Sequence, residues 1–367
     1  MRIIAINLCE MAGAGDIVKV SIPFAAGVAS AAFFPPGESL LPSAATAAMA
    51  ATIISLIFAF RKGASVPSLC ICFFFCGVFC SLTRMFTGIQ TVPPLEGTDK
   101  AMERLCSFID SIGFGYSNTA PLAKALFTGT RKDIPEETIQ AFRDSGAAHI
   151  LALSGLHMGI IYSIASYTLA ILGNSRTAAL FRSTLIILAA GAFTRMTGSG
   201  PSTVRAFLFI TLNEISRHAP GRRRSPISVF CIALMIQLCY NPLVIKSLGF
   251  QLSYLAMLGI FTVYPRLESW YPQGGRFDIM RKIWCSMALS VSCQLFTAPL
   301  VLLRFGTLPR YFLLTNLIAL PVTEAFMMVC FADMVFSGLG WCPEIIKSPA
   351  DHLARALIYC LETIAGL

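Results

Sequence analysis

Charged residues are scarce in this chain: Asp, Glu, Lys and Arg make up 13% of its 367 residues, against about 25% in soluble domains. That scarcity excludes a soluble globular protein, and the hydrophobic share of 56% and mean hydropathy of +0.71 agree. Long polar stretches are missing as well. At roughly 20 residues per crossing the length allows about ten helices with short loops, and any catalytic head is small or absent. No histidine or carboxylate accompanies Cys72, Cys76 and Cys80, which recur every four residues on one face of an apolar run. They read as small buried hydrophobes and not as a metal site. The 13 cysteines suggest no disulfide framework, and no cofactor is expected. The net charge of +9 is of the kind that positively charged inner loops give a membrane protein.

What is present is a series of apolar runs, and the expected fold class is all-α, a polytopic transmembrane helical bundle. Residues 3–9 resemble a signal peptide weakly, but Glu10 interrupts the run, so it is taken as an uncleaved amphipathic lead-in. Residues 1–82 then hold spans at 18–34, 41–60 and 66–82. From 83 to 147 hydropathy falls and charge appears. Met102, Leu105, Phe108 and Ile109 give 100–112 the spacing of an amphipathic helix. A second runs over 135–145, with Pro135 at its first position and Gly146 as its stop. Together they form an extracytoplasmic linker lying on the membrane surface. Residues 148–340 carry a central helix and further spans at 177–194, 202–215, 226–240, 248–264, 283–303 and 311–336. Residues 341–367 form an amphipathic tail on the inner surface.

The stretch HILALSGLHMG, His149 to Gly159, stands out because it places two histidines, a serine and Gly155 inside an apolar segment that continues to Leu172. The segment reads as one membrane-crossing helix. On such a helix His149 and His157 lie about 12 Å apart on similar faces, and Ser154 is within one turn of His157. Polar groups at membrane depth face a partner or a wet cavity. The run 198–203, with Gly198, Gly200, Pro201 and Ser202, breaks the chain between two spans and must be buried in protein or line water. Arg205 follows it, so the next helix start offers free amides, a positive dipole end and a guanidinium to an anion. Arg61, Lys62, Arg176, the cluster of Arg217, Arg222, Arg223 and Arg224, and the group Arg266, Arg276, Arg281 and Lys282 fall on one side of the expected spans. That side is inner, which puts the N-terminus in the cytoplasm.

The run ALFTGTRKDIPEETIQAFRDSGAAHILALSGLHMG over 125–159 resembles the signature of the ComEC family of bacterial competence proteins. Gly200-Pro201-Ser202 with Arg205-Ala206 comes next, then Asn241-Pro242 and GFQLSYLAMLGI over 249–260. Gln294, Thr297-Ala298-Pro299, Phe305-Gly306, Asn316 and Pro321 continue the similarity. The resemblance implies an inner-membrane channel that passes single-stranded DNA into the cytoplasm during natural transformation. It also implies a DNA receptor, a cytoplasmic motor and a separate nuclease as partners beside the lipid bilayer. Longer members insert an OB-fold-like domain, for which 82–100 is too short, and end in a metallo-β-lactamase-like domain. No His-x-His-x-Asp-His run occurs in this sequence, so nuclease activity is not carried over. Glu324, after Pro321, reads as idiosyncratic. A single-strand groove needs cationic or amide contacts to phosphate and flat side chains for bases. The candidates are His149, Ser154, Gly155, His157, Gly200, Pro201, Ser202, Arg205, Gln251 and Tyr254; no catalytic residue is assigned.

Two other classes compete. Ala152-Leu153-Ser154-Gly155 is similar to the Gly-x-Ser-Gly of rhomboid-type intramembrane proteases, which pair the serine with a histidine on another helix. Here Ala152 replaces the first glycine and no other span carries a histidine, since His218 and His352 lie in inner-side segments. A transporter of another anionic polymer would also use broken helices near the midplane.

Overall fold

The computed structural model describes residues 14–61, 66–88, 98–152, 155–173, 175–218, 225–272, 278–306, 308, 310–340 and 344–366. The lead-in at 3–9, the basic residues Arg222, Arg223 and Arg224, and Ser154 lie outside the described residues. Among the described residues every regular element is helical. In order these are α1 (Ala14–Phe33), α2 (Leu41–Arg61), α3 (Val66–Thr87), α4 (Thr98–Ser111), α5 (Thr119–Thr128), α6 (Glu136–Asp144), α7 (Ala148–Leu151) and α8 (Gly155–Leu169). They continue with α9 (Arg176–Met196), α10 (Pro201–His218), α11 (Pro226–Tyr240), α12 (Leu248–Thr262), α13 (Tyr264–Glu268), α14 (Ile279–Phe305), α15 (Phe312–Gly338) and α16 (Glu344–Ala365). Five helical stretches are long and apolar enough to cross a membrane: Glu38–Ala59, Val66–Thr87, Arg176–Met196, Ile279–Phe305 and Phe312–Gly338. Four shorter apolar ones, Ile17–Phe33, His157–Leu172, Pro226–Tyr240 and Leu248–Thr262, accompany them. The chain is an all-α helical membrane protein.

Helix starts follow local chemistry. Ser175 accepts from the Ala178 amide at 3.1 Å, Ser225 from the Ser228 amide at 3.2 Å, and Asp278 from the Arg281 amide at 3.0 Å, each satisfying a donor that the first turn leaves free. The chain divides into two compact units, one of residues 1–93 and 207–251, the other of 94–206 and 252–367.

In the first unit α1 crosses α3 at backbone contact. A Cβ on Gly27 would stand 2.0 Å from the Phe74 carbonyl oxygen, and one on Gly77 would stand 2.2 Å from that of Phe24. Small residues permit this approach, which gives apolar helices their close packing in lipid. On α2 the side chains of Ile53, Ile54, Ile57 and Phe58 are exposed, as a lipid-facing stripe requires.

The second unit is built around α15 and α16. Leu122 and Leu126 of α5, Phe142 of α6, Ile150 of α7, Phe326 and Met327 of α15, and Leu357 and Leu361 of α16 form one buried cluster. Each such side chain contributes about 1.5–3 kcal/mol through burial. Two expectations change here. The helices of the charged segment do not lie apart on a surface: Thr315 near one end of α15 bonds to the Ser145 carbonyl at 2.7 Å, and Gly338 at its other end lies beside the Phe108 ring. The segment therefore runs along α15 for about 35 Å. The tail helix, expected on the opposite face of the membrane, packs against this segment. Asp351 accepts from the Gly115 amide at 2.8 Å and from the Thr119 hydroxyl at 2.6 Å, and Arg355 stacks on Tyr116 at 4.9 Å. Amphipathic spacing shows that one face is apolar, and it is silent on whether lipid or protein covers that face.

Candidate functional site

The central segment is not the continuous helix that its hydropathy suggests. The short turn α7 ends at Leu151, Ala152 is extended (φ −80°, ψ 128°), and α8 begins at Gly155. A break inside an apolar run leaves carbonyls on one side and amides on the other without helical partners. The separation and shared face expected for His149 and His157 on one α-helix therefore do not apply, and the expectation for Ser154 lies outside the described residues. His149 is exposed, with its Nδ1 3.1 Å from the Gly146 carbonyl, while His157 on α8 is buried.

An arginine stands on each side of the break. Helix α5 ends at Gly129, whose left-handed φ of 81° suits glycine, and its amide closes on the Ala125 carbonyl at 2.9 Å. That turn carries Arg131 under α7, where its Nη2 donates to the Leu151 carbonyl at 2.9 Å. A cation at a helix C-terminus satisfies a free carbonyl and suits the dipole. On the other side the turn at 198–200 winds through positive φ at Gly198 (76°) and Ser199 (52°), and Pro201 opens α10. Thr203 closes its hydroxyl on the Gly200 carbonyl at 2.8 Å, and Ser202 is half-buried.

Arg205, one turn into α10, does not point out from the helix start as its sequence position suggests. It is buried, donates to the Ser253 carbonyl of α12, and lies 5.9 Å from the centre of the buried Tyr254 ring. Its Nη2 is 3.2 Å from where a Cβ on Gly155 would stand. Gly155, Arg205 and Tyr254 are thus one assembly in the second unit. Gln251 belongs to the first unit, where its amide donates back to the Ile245 carbonyl at 2.8 Å. Two guanidiniums around a break, one exposed and one buried, can hold or pass an anion; a guanidinium has five donors and no acceptor.

Sequence reasoning passed over several charged residues. Arg131 was visible only as part of the 125–159 signature. Lys124, buried in α5, is clamped between Asp133 and Asp110, the latter at 2.9 Å. Glu214, 1% exposed, pairs with Arg217 at 2.9 Å, and Asp333 of α15 is fully buried. Acids inside apolar runs are functional flags by default, and that signal would have found both; Glu324, read as idiosyncratic, is exposed. Among the described residues no group of three or more His, Cys, Asp or Glu side chains is placed to hold a metal.

The family model described as "Competence protein" matches residues 126–367. The chain is similar to ComE operon protein 3 of Bacillus subtilis (strain 168), 26% identical over 200 residues, 54% of this chain and 24% of that protein. It is also similar to the uncharacterized protein YcaI of Escherichia coli (strain K12), 25% identical over 256 residues, 65% of this chain and 32% of that protein. The matched stretches thus cover about a quarter and a third of these relatives' own lengths. No solved structure matches the chain significantly.

Proposed function

Because the chain belongs to the competence protein family, we propose that it forms the path by which single-stranded DNA crosses the cytoplasmic membrane during natural transformation, acting as a conduit and not as a hydrolase. The observation that carries this reading is the helix break at Ala152, with Arg131 on the side of Leu151 and Arg205 on the side of Gly155. Phosphate is the anion repeated along a strand, and guanidinium with helix-start amides is the chemistry that receives it without reading sequence. Tyr254 beside Arg205 supplies a flat face of the kind on which bases stack. A surface DNA receptor, a cytoplasmic motor and a separate nuclease complete the proposed system.

Deletion of the gene in a transformable host tests this. Duplex DNA should still bind the cell surface while labelled single strand no longer reaches the cytoplasm. Normal transformation in the deletion strain, with no paralogue present, refutes the proposal. Intact transformation together with loss of another exported or imported polyanion would assign the path to that polymer.

A further inference from the structure

Helix α16 is not among the five stretches long and apolar enough to cross a membrane, yet it lies along one that is. It starts at Glu344, just past the end of α15 at Gly338, and packs against α5, α6 and α15. Its far part brings Leu361 into the cluster that holds Phe142 of α6. Helix α6 ends beside Ser145, whose carbonyl accepts from the Thr315 hydroxyl near the start of α15. So α16 retraces α15 from its last residue toward its first. Its 22 residues make it about 33 Å long, and a hydrocarbon core is about 30 Å thick. One face, with Ala350, Ala354, Leu357 and Leu361, is buried. The opposite one, with His352, Arg355, Ala356, Tyr359 and Glu362, is exposed at helical spacing.

The loop that joins α4 to α5 climbs the same helix. A Cβ on Gly113 would stand 3.9 Å from the Lys347 ammonium, the Gly115 amide donates to Asp351, and Arg355 lies over the Tyr116 ring. Lys347, Asp351 and Arg355 are on successive turns, the last two about 10 and 16 Å from the start of α16. Gly113, Gly115 and Ser117 are exposed. Irregular backbone and charged side chains at membrane depth are tolerated only where protein buries them or water reaches them. Here both are exposed, and Arg355 joins the one to the other. We propose that α16 crosses the membrane beside α15, and that its polar stripe and the loop 112–118 wall a water-filled cleft at membrane depth. Water is the occupant because lipid would strand the charges of Arg355 and Glu362 and the exposed loop backbone. The two ends of α16 then open on opposite sides of the membrane. Hydropathy overlooks such a crossing, since half of the helix surface is polar. The reading is independent of what the protein transports.

The test uses the full chain in bacterial membranes, carrying Glu344→Cys, Ala356→Cys or Glu362→Cys. Intact spheroplasts and inverted vesicles are treated with membrane-impermeant maleimides, a bulky polyethylene glycol reagent for the two ends and a small sulfonated one for Ala356→Cys. Labelled residues are mapped by mass spectrometry. Maleimide reacts with thiolate, which forms in water and not in apolar surroundings, and the native Cys330, buried on α15, is the inert control. The expected result is that Glu344→Cys is labelled from one side only and Glu362→Cys from the other only. Ala356→Cys, a small change near the middle of the helix, should be labelled while Cys330 is not. Labelling of both ends from the same side puts α16 on one surface and overturns the crossing. An Ala356→Cys thiol as inert as Cys330, whether lipid or a second copy covers the stripe, overturns the cleft.

Discussion

Gly155→Ala separates the stability of the helix break from its use. At the first residue of α8 an alanine is helix-compatible, and replacing glycine stabilises a helix by about 0.5–1 kcal/mol. The new methyl would stand 3.2 Å from Nη2 of Arg205 and 3.9 Å from the Ala206 Cβ. The second distance is ordinary contact and the first is not, so the guanidinium must withdraw by a few tenths of an ångström. It is held by the Ser253 carbonyl and by Tyr254, and a hydrogen bond from a charged donor is worth about 1.5–3 kcal/mol, of which a small displacement forfeits part. The two effects nearly cancel, so thermal unfolding in detergent should move by less than the equivalent of about 1 kcal/mol. Uptake of labelled single strand should fall several-fold, because Arg205 no longer sits where the break needs it. The decisive readout is the double variant with Arg205→Lys: residues in contact are non-additive by about 0.5–3 kcal/mol. Wild-type uptake in Gly155→Ala, or strict additivity with Arg205→Lys, refutes the assembly.

The other predictions concern the surroundings of the break. Arg131→Gln shortens the donor to the Leu151 carbonyl and should cost up to about 1–3 kcal/mol in unfolding, and it should lower the slope of log affinity against log salt for a single strand by about 0.7, the value of one phosphate contact; an unchanged slope in binding titrations removes Arg131 from the path. Lys124→Met leaves Asp110 and Asp133 facing each other and should cost about 1–3 kcal/mol in denaturation, partly restored by adding Asp133→Asn. Burial pushes the Lys124 amine down, but Asp133 and Asp110 more than offset it and hold it above 10.5; its stabilising share is therefore complete below that pH and lost as pH rises through the higher folded value, which wild-type and Lys124→Met unfolding curves in alkaline buffer should show. Ser154→Ala should retain uptake, and a fluorophosphonate probe should not label Ser154; labelling would support the hydrolase instead.

Several apolar helices were legible because each is an apolar run closed by punctuation, although among the described residues only five helical stretches are long and apolar enough to cross a membrane. The run expected at 177–194 is Arg176–Met196 in the structure, and that at 226–240 is Pro226–Tyr240, with Ser175 and Ser225 as the caps. The break at Ala152 was not legible, because His149, Ser154 and His157 are scattered through an otherwise apolar run and hydropathy carries no information on φ and ψ. Helix α5 escaped for a different reason. Its 10 residues are too few for a span, and Lys124 in the middle reads as surface until Asp110 and Asp133 are seen around it. For Arg205 the position at a helix start was right and the direction was not. Sequence places a long side chain to within a turn, whereas α12 with its Ser253 carbonyl and Tyr254 ring decides where the guanidinium ends.

On the proposed reading a conduit must bind its cargo well enough to admit it and weakly enough to let it go, and the contacts of the two arginines would suit that compromise. A guanidinium free in an apolar wall would be costly to bury, and a backbone break without partners would add a further cost of about 1–3 kcal/mol for each stranded group. Here the costs offset one another. Arg131 satisfies the Leu151 carbonyl at the end of α7, and Arg205 satisfies the Ser253 carbonyl while lying against the start of α8. A phosphate arriving at the break would meet donors already engaged with neutral carbonyls and not with carboxylates. Exchanging a carbonyl for a phosphate gains charge attraction without breaking an ion pair, so entry is favourable. When the phosphate moves on, the carbonyls are still within reach, so release leaves no buried donor stranded. A carboxylate at either arginine would have held the guanidinium more tightly and closed it to the strand.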